Sequence, residues 1–165
     1  MFRKALPGDG TLIAKLRQTI WQSTYRGIYP DAMMDCFDFD WHIQRDEARI
    51  ADPHTEVFLI EVENLPVGYL VYGVQTPCVY KDFALYLHSL YLLPAYQRRG
   101  IGRLAVEKVR AYGRQLGLKK FYNQCQPQNA GAMAFYSQMG GRIGYESLGN
   151  VNIVEDTVCF EFEIE

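Results

Sequence analysis

Between Leu90 and Arg103 the chain reads Leu-Tyr-Leu-Leu-Pro-Ala-Tyr-Gln-Arg-Arg-Gly-Ile-Gly-Arg, an apolar run that passes through proline into a basic, glycine-rich turn. The chemistry this pattern suits is anion binding. Gly100 and Gly102 fall in the first turn of the helix that the following apolar spacing predicts, where backbone N–H groups lack an intrahelical acceptor. Without side chains at those positions the amides stay open, and the positive end of the helix dipole favours a phosphate. Arg98, Arg99 and Arg103 add charge at the same place. Taken alone, the pattern also describes a glycine-rich helix start with surface arginines.

A second set of residues decides between these readings. Gln97-Arg98-Arg99-Gly100-Ile101-Gly102 resembles the Gln/Arg-x-x-Gly-x-Gly/Ala acetyl-CoA loop of the GCN5-related N-acetyltransferases (GNAT superfamily), and Leu90, Leu92 and Pro94 resemble the strand end that precedes it. Asn129 to Gly140 is similar to the family's Asn-x(6)-Tyr-x-x-x-Gly segment, with Tyr136 as its tyrosine. Two motifs in the family's order and spacing are specific over Tyr86 to Gly141; outside that stretch the resemblance is architectural. One departure concerns Gly141, where the family usually has an aromatic, and it bears on local packing rather than chemistry. The resemblance implies one N-acetyltransferase domain over residues 1–165. Its fold would be α/β, a mixed and mainly antiparallel sheet with splayed central parallel strands flanked by helices. It also implies acetyl-CoA as co-substrate, with Gln97, Arg98, Arg99, Gly100, Ile101, Gly102 and Arg103 as its binding loop and the pyrophosphate on the N–H groups of about Arg98 to Arg103. Backbone groups near Leu90 and Leu92 would hydrogen-bond the pantetheine arm like an added strand. Asn129 would bond the same arm, or simply cap its helix.

Acetyl transfer needs a neutral amine, and an amine with a pKa of about 10.4 is neutral in roughly one part in a few thousand at pH 7. A base is therefore required. His88 lies two and four residues before Leu90 and Leu92 on one strand, hence on the same face, and an unperturbed imidazole titrates near 6.5. A buried histidine bonded to backbone is the alternative. Tyr86 shares that face and could order water, whereas Gln124, where some relatives carry a glutamate, cannot act as a base. The resemblance makes Tyr136 the general acid. A phenol of pKa about 10 is protonated at pH 7 and can donate to a thiolate whose conjugate acid has a pKa of about 8.5. Its plainer role is an aromatic on a core stripe beside Phe135 and Met139. Cys125 has no histidine partner in the motif, so direct attack of the amine in a ternary complex is expected rather than an acetyl-cysteine.

Trp21, Tyr25, Tyr29, Asp31, Asp35, Asp38 and Asp40 mark the amino-terminal region that borders the acceptor side in the family. Tyr25-Arg26-Gly27-Ile28-Tyr29-Pro30 looks similar to a segment in bacterial acetyltransferases related to polyamine acetylases. Aromatics with carboxylates suit a small cationic amine such as a polyamine, with Tyr25, Tyr29 and Tyr86 as substrate contacts. The acidic run also reads as a solvated loop and helix face. A protein amino terminus or lysine is the alternative acceptor. Two readings of another class are a non-catalytic acetyl-CoA-binding module and a dinucleotide-binding protein, since Gly100 to Ala105 also fits Gly-x-Gly-x-x-Gly/Ala. Against the dinucleotide stand the late position of the glycines and the lack of an acid near Lys119 and Lys120.

The positioning elements follow from periodicity. Strands are expected at Phe2 to Leu6, Glu56 to Glu63, Val67 to Val74, Asp82 to Leu93, Lys119 to Gln124, Arg142 to Leu148 and Asp156 to Ile164. A helix capped by Asp9 carries Leu12, Ile13, Leu16, Ile20 and Trp21, and another includes Trp41 to Ile50. Ile101, Leu104, Ala105, Val109, Tyr112 and Leu116 predict a helix from Gly100 to Gly117, and Gln128 or Asn129 opens one that ends at Gly140-Gly141. Asn64-Leu65-Pro66 is the expected hairpin turn.

With 48% hydrophobic and 14% aromatic residues, 165 residues are enough for one core. A net charge of -2 and pI near 5.9 argue against a nucleic-acid partner. Lacking an 18-residue apolar run or a signal-like start, the chain is expected to be cytoplasmic with no membrane partner. Cys36, Cys78, Cys125 and Cys159, with His42, His54 and His88, are too scattered for a metal site. A homodimer stays open as its assembly.

Overall fold

The alternating apolar residues resolve into seven strands and five α-helices in the computed structural model, which describes residues 1–165. In chain order these are β1 (Phe2–Lys4), α1 (Gly10–Thr24), α2 (Asp31–Asp35), α3 (Phe39–Ala51), β2 (Thr55–Val62), β3 (Leu65–Val74) and β4 (Leu85–Leu92). Then follow α4 (Ile101–Gln115), β5 (Lys120–Cys125), α5 (Ala130–Gln138), β6 (Arg142–Ser147) and β7 (Thr157–Glu163). The strands are ordered β1-β2-β3-β4-β5-β7-β6. β4 and β5 are parallel, with Leu85 opposite Phe121, Tyr86 opposite Tyr122 and Leu87 opposite Asn123. The pairs β1–β2, β2–β3, β5–β7 and β6–β7 are antiparallel, so the sheet is mixed and mainly antiparallel as the sequence predicts. No helix is long and apolar enough to cross a membrane.

The residues group into two compact units, the first comprising Met1–Gly73 and Ser89–Gly102. Its core joins Ile13, Leu16 and Ile20 of α1 to Val57, Leu59, Tyr69 and Val71 of β2 and β3. The hairpin turn sits one residue earlier than the proline suggests. Glu63 (φ 52°) and Asn64 (φ 64°) are both left-handed, which gives the twist a two-residue hairpin needs, and Pro66 already pairs with Glu61. The start of α1 also departs from expectation. Asp9 stands at the cap position, yet its carboxylate takes the Arg3 guanidinium (2.9 and 3.2 Å) and the Leu6 amide (2.8 Å). The capping acceptor comes instead from α3, whose Glu47 accepts from Gly8 N (3.0 and 3.1 Å) and Gly10 N (2.7 Å). A methyl group at Gly10 would lie 2.6 Å from Glu47 Oε1, so glycine is required for the carboxylate to approach. Two turns further along, Arg17 and Asp46 form a bidentate ion pair with side chains only 1% and 2% exposed.

The second unit comprises Val74–His88 and Arg103–Glu165. Here β5 and β7 place Phe121 on Phe162 (centroids 4.5 Å apart, 4° between planes), while Tyr122 packs with Phe83 and Cys159. α4 buries Ala105, Val106 and Val109 completely. Leu104 and Leu116, expected on that stripe, are each 49% exposed, and Val106 takes the inward position. Gly113 lets α4 lie close, since a Cβ there would sit 2.4 Å from Ile164 Cδ1 and 3.1 Å from Leu85 Cδ2.

Two outcomes follow for stability. Glu47→Ala should cost about 1–2 kcal/mol in denaturant unfolding, the usual range for a lost helix cap. His42, buried and stacked on Phe37 (4.2 Å), has its pKa pushed from 6.5 down to about 4, first by burial and then by Arg17 and Arg45. The folded chain thus keeps His42 neutral where the unfolded chain binds a proton. Stability should rise with pH between about 4 and 6.5, and His42→Gln should flatten that slope in urea midpoints measured across the range.

Candidate active site

The basic loop is built by local hydrogen bonds. Leu93 N donates to Val67 O (2.8 Å), a single 3-10 turn covers Pro94–Tyr96, and Gln97 Nε2 returns to Leu92 O (3.0 Å). Of the backbone groups expected to bind pantetheine, the Leu92 carbonyl is therefore already held by the loop's own glutamine. A carbonyl oxygen has a second lone pair to offer. The chain then turns left-handed at Arg98 (φ 61°) and again at Gly100 (φ 80°) before α4 begins at the buried Ile101. Such reversals orient backbone amides into anion-binding concavities. Arg98, Arg99 and Arg103 are exposed, and Arg99 lies 5.1 Å over the Tyr96 ring. The first turn of α4 holds no acidic residue. Cations at a helix N-terminus oppose the dipole, so this arrangement is unfavourable until an anion joins it.

On β4, Leu85 and Leu87 are buried and Tyr86 and His88 alternate with them. The ring contact between Tyr86 and His88 (4.2 Å, 61°) shows that they share a face, as predicted. Tyr86 is itself stacked on Tyr122 (4.5 Å, 18°), whose hydroxyl donates to Gln75 Oε1 (2.6 Å). Its own hydroxyl reaches Gln124 Oε1 at a long 3.4 Å. A layer of aromatic rings therefore lies against the imidazole, and Tyr122 is a member that the sequence reading missed. Its apolar, alternating neighbourhood marked it only as core.

Asn129 is the N-cap of α5, accepting from Ala132 N (3.1 Å), so the plainer of its two readings is present in the structure. Tyr136 is 7% exposed, with Phe160 and Phe162 at 5.8 and 6.1 Å. The end of α5 is fixed by Gly141 N donating to Tyr136 O (2.9 Å) and by Arg110 of α4 donating to Met139 O. Gly141 also has its explanation. A Cβ there would lie 2.7 Å from the Phe162 ring and 2.8 Å from Tyr136 O, so Phe162 of β7 leaves no room for a side chain at this position. Burial pushes the Cys125 thiol up to about 12, which leaves it un-ionised near neutrality.

In the amino-terminal region, Tyr25 stacks on Tyr29 (4.5 Å, 9°) and shares a hydroxyl–hydroxyl bond with Tyr91 (2.9 Å). Tyr91, between the expected Leu90 and Leu92, escaped the sequence reading because it continues an apolar strand. Three of the four acids of the run are engaged within the fold. Asp31 and Asp35 pair with Arg26 (3.1 and 2.8 Å), and Asp38 caps α3 at Trp41 N (2.9 Å). No three His, Cys, Asp or Glu side chains gather as metal ligands.

Comparison with known proteins agrees with this geometry. The family model described as the Acetyltransferase (GNAT) family matches residues 15–140. Among solved structures, PaiA N-acetyltransferase from Thermoplasma acidophilum, in complex with coenzyme A, superposes with a TM-score of 0.82 at 16% identity, covering 99% of this chain and 98% of that one. YncA from Salmonella typhimurium, with its cofactor acetyl-CoA, gives 0.70 at 19% identity over 100% and 94% of the two chains. Ribosomal-protein-alanine N-acetyltransferase from Brucella melitensis gives 0.72 at 20% identity over 99% of both. No curated protein matches by sequence. At these identities the structures speak for the fold, and the match over residues 15–140 speaks for descent: the chain belongs to the GNAT acetyltransferase family.

Proposed function

We propose that this enzyme moves an acetyl group from acetyl-CoA to a small primary amine, the class that includes polyamines, by direct attack with both substrates held at once. The observation that carries the reading is the acid-free, triply basic start of α4 behind two left-handed residues, a place that needs an anion. When bound, acetyl-CoA supplies the activated thioester. The amides of Arg98 to Arg103 hold its pyrophosphate, and hydrogen bonds to a charged group contribute about 1.5–3 kcal/mol each. His88, beside Tyr86, accepts a proton from the amine directly or through water. Tyr136 donates its hydroxyl proton, or a strong hydrogen bond, to the departing sulfur. The un-ionised state of Cys125 supports a route without an acetyl-cysteine. The stacked Tyr25 and Tyr29 suit the flank of a small amine, and the carboxylates nearby are already engaged by Arg26 and by the start of α3.

Calorimetry should show acetyl-CoA binding and no NAD(H) binding. The double substitution Arg99→Glu with Gly102→Val should weaken acetyl-CoA at least about tenfold, since each lost charged hydrogen bond is worth that much; unchanged affinity means the loop is misassigned. Tyr136→Phe should lower kcat by roughly a hundredfold while leaving the Kd for acetyl-CoA near its original value. His88→Ala should abolish the acidic limb of the pH–rate profile. In a thiol-release assay small amines, spermidine among them, should turn over and peptides should not; the reverse outcome would leave an acetyltransferase with a protein acceptor.

A further inference from the structure

Gln126 is a buried polar residue that the chemistry above does not call on, 4% exposed and bonded at both ends of its amide. Its Nε2 donates to Ile153 O (2.8 Å), in the single 3-10 turn Ile153–Glu155, and its Oε1 accepts from Gln128 N (3.2 Å). The backbone carbonyl of Gln126 accepts from the N–H of Asn129 (3.0 Å), the cap of α5. One residue thus ties the opening of the Tyr136 helix to the connection between β6 and β7.

That connection is longer and firmer than a turn requires. It runs over nine residues, Leu148 to Asp156, between the end of β6 and the start of β7, whereas hairpin connections commonly take about two to five. Asn150 braces its foot, donating from N (2.9 Å) and Nδ2 (2.8 Å) to Asp156 Oδ1 and from Nδ2 to Ser147 Oγ (3.2 Å). The strands of the second unit say where it stands. Tyr86 lies against His88 (4.2 Å), stacks on Tyr122 and reaches Gln124 Oε1 (3.4 Å), and Gln126 comes next in the alternation of Tyr122 and Gln124. β5 ends at Cys125, opposite Val158 of β7. The loop is therefore pinned just past the carboxyl end of β5, beyond the residue that Tyr86 links to the imidazole. Ile153 O also accepts from Asp156 N (3.1 Å), so this carbonyl has a partner of its own. The bond from Gln126 adds placement rather than rescuing a buried acceptor.

We propose that Gln126 is a positioning residue for acetyl transfer: through it the Leu148–Asp156 loop is held as a wall of the acceptor site beside His88, in a place set by the opening of the helix that carries Tyr136. The proposal rests on the reading that His88 and Tyr136 serve the transfer, and it makes the fit of the acceptor depend on a residue that touches neither substrate. Acetyl-CoA, where it meets Asn129, and the acceptor, where it meets the loop, then bias one body, and each favours the other.

Gln126→Glu separates the two bonds, since a carboxylate still accepts from Gln128 N and cannot donate to Ile153 O. With acetyl-CoA saturating, KM for the acceptor should rise about fivefold to tenfold, the weight of one hydrogen bond, while kcat and the Kd for acetyl-CoA stay within about twofold. Asn150→Ala loosens the same loop at its foot without touching Gln126 and should raise the same KM; it carries the test if Gln126→Glu does not fold. Combined, the two should raise KM no further than the larger alone, because each frees one loop. A cross-link that only stabilises the fold would lower the urea midpoint in both variants and leave KM in place, and that result overturns the proposal. Thiol release is followed with whichever amine or peptide the unaltered chain acetylates, so turnover of peptides alone sinks the small-amine reading and still tests the loop. If nothing in the panel is acetylated, that reading has failed and hydrogen exchange decides. Acetyl-CoA should slow exchange of the amides of residues 148–155 in the unaltered chain and not in Gln126→Glu; equal protection in both, or none in either, refutes the proposal.

Discussion

Two charged contacts dock α3 on α1, and the amino-terminal unit depends on them. Glu47 closes the open amides at the start of α1, and Asp46 neutralises Arg17 two turns further in. Taking a guanidinium and a carboxylate out of water costs several kcal/mol per ion, so the pair at 1% and 2% exposure is tolerable only because its geometry is bidentate. Removing one partner would leave a bare charge in the core, which is worse than replacing both. Apolar packing alone would have served stability as well. A buried guanidinium that faces Tyr69 and His42 also fixes the position of donors that a hydrocarbon core could not supply.

The basic loop shows the same logic at the surface. Helices are usually stabilised by acids in their first turn, and α4 has none there while three arginines crowd its start. The left-handed turn at Arg98 adds strain that a glycine would avoid. A conformation disfavoured in three ways at one place is relieved by an anion, and it is here that acetyl-CoA is proposed to bind.

Local chemistry made much of this legible. Strand and helix positions followed from periodicity, and the paired motifs disclosed the family, because a loop with fixed glycines and a tyrosine at fixed distance from an asparagine leave a linear trace. Contacts between distant residues left none. Asp9 looks like a cap from its neighbours, but Arg3 outcompetes the helix for it and Glu47, 37 residues after Gly10, takes over. The acidic run read as either a solvated face or a flank for a cation, and the fold shows that Arg26 and the start of α3 engage Asp31, Asp35 and Asp38. Tyr91 and Tyr122 read as apolar strand residues, and only the fold shows that their hydroxyls have partners.

The exchange between Gly141 and Phe162 carries a lesson about transplantation. The family usually has an aromatic directly after the motif's final glycine, whereas in this chain Phe162 of the last strand, 21 residues later, lies where a side chain at Gly141 would begin. A chimera that took the segment through residue 141 from such a relative, and kept this chain's own carboxyl-terminal strand, would force two rings into room for one. The backbone of the tyrosine-bearing helix lies against that same space, so the misfit would reach Tyr136, the proposed general acid, first.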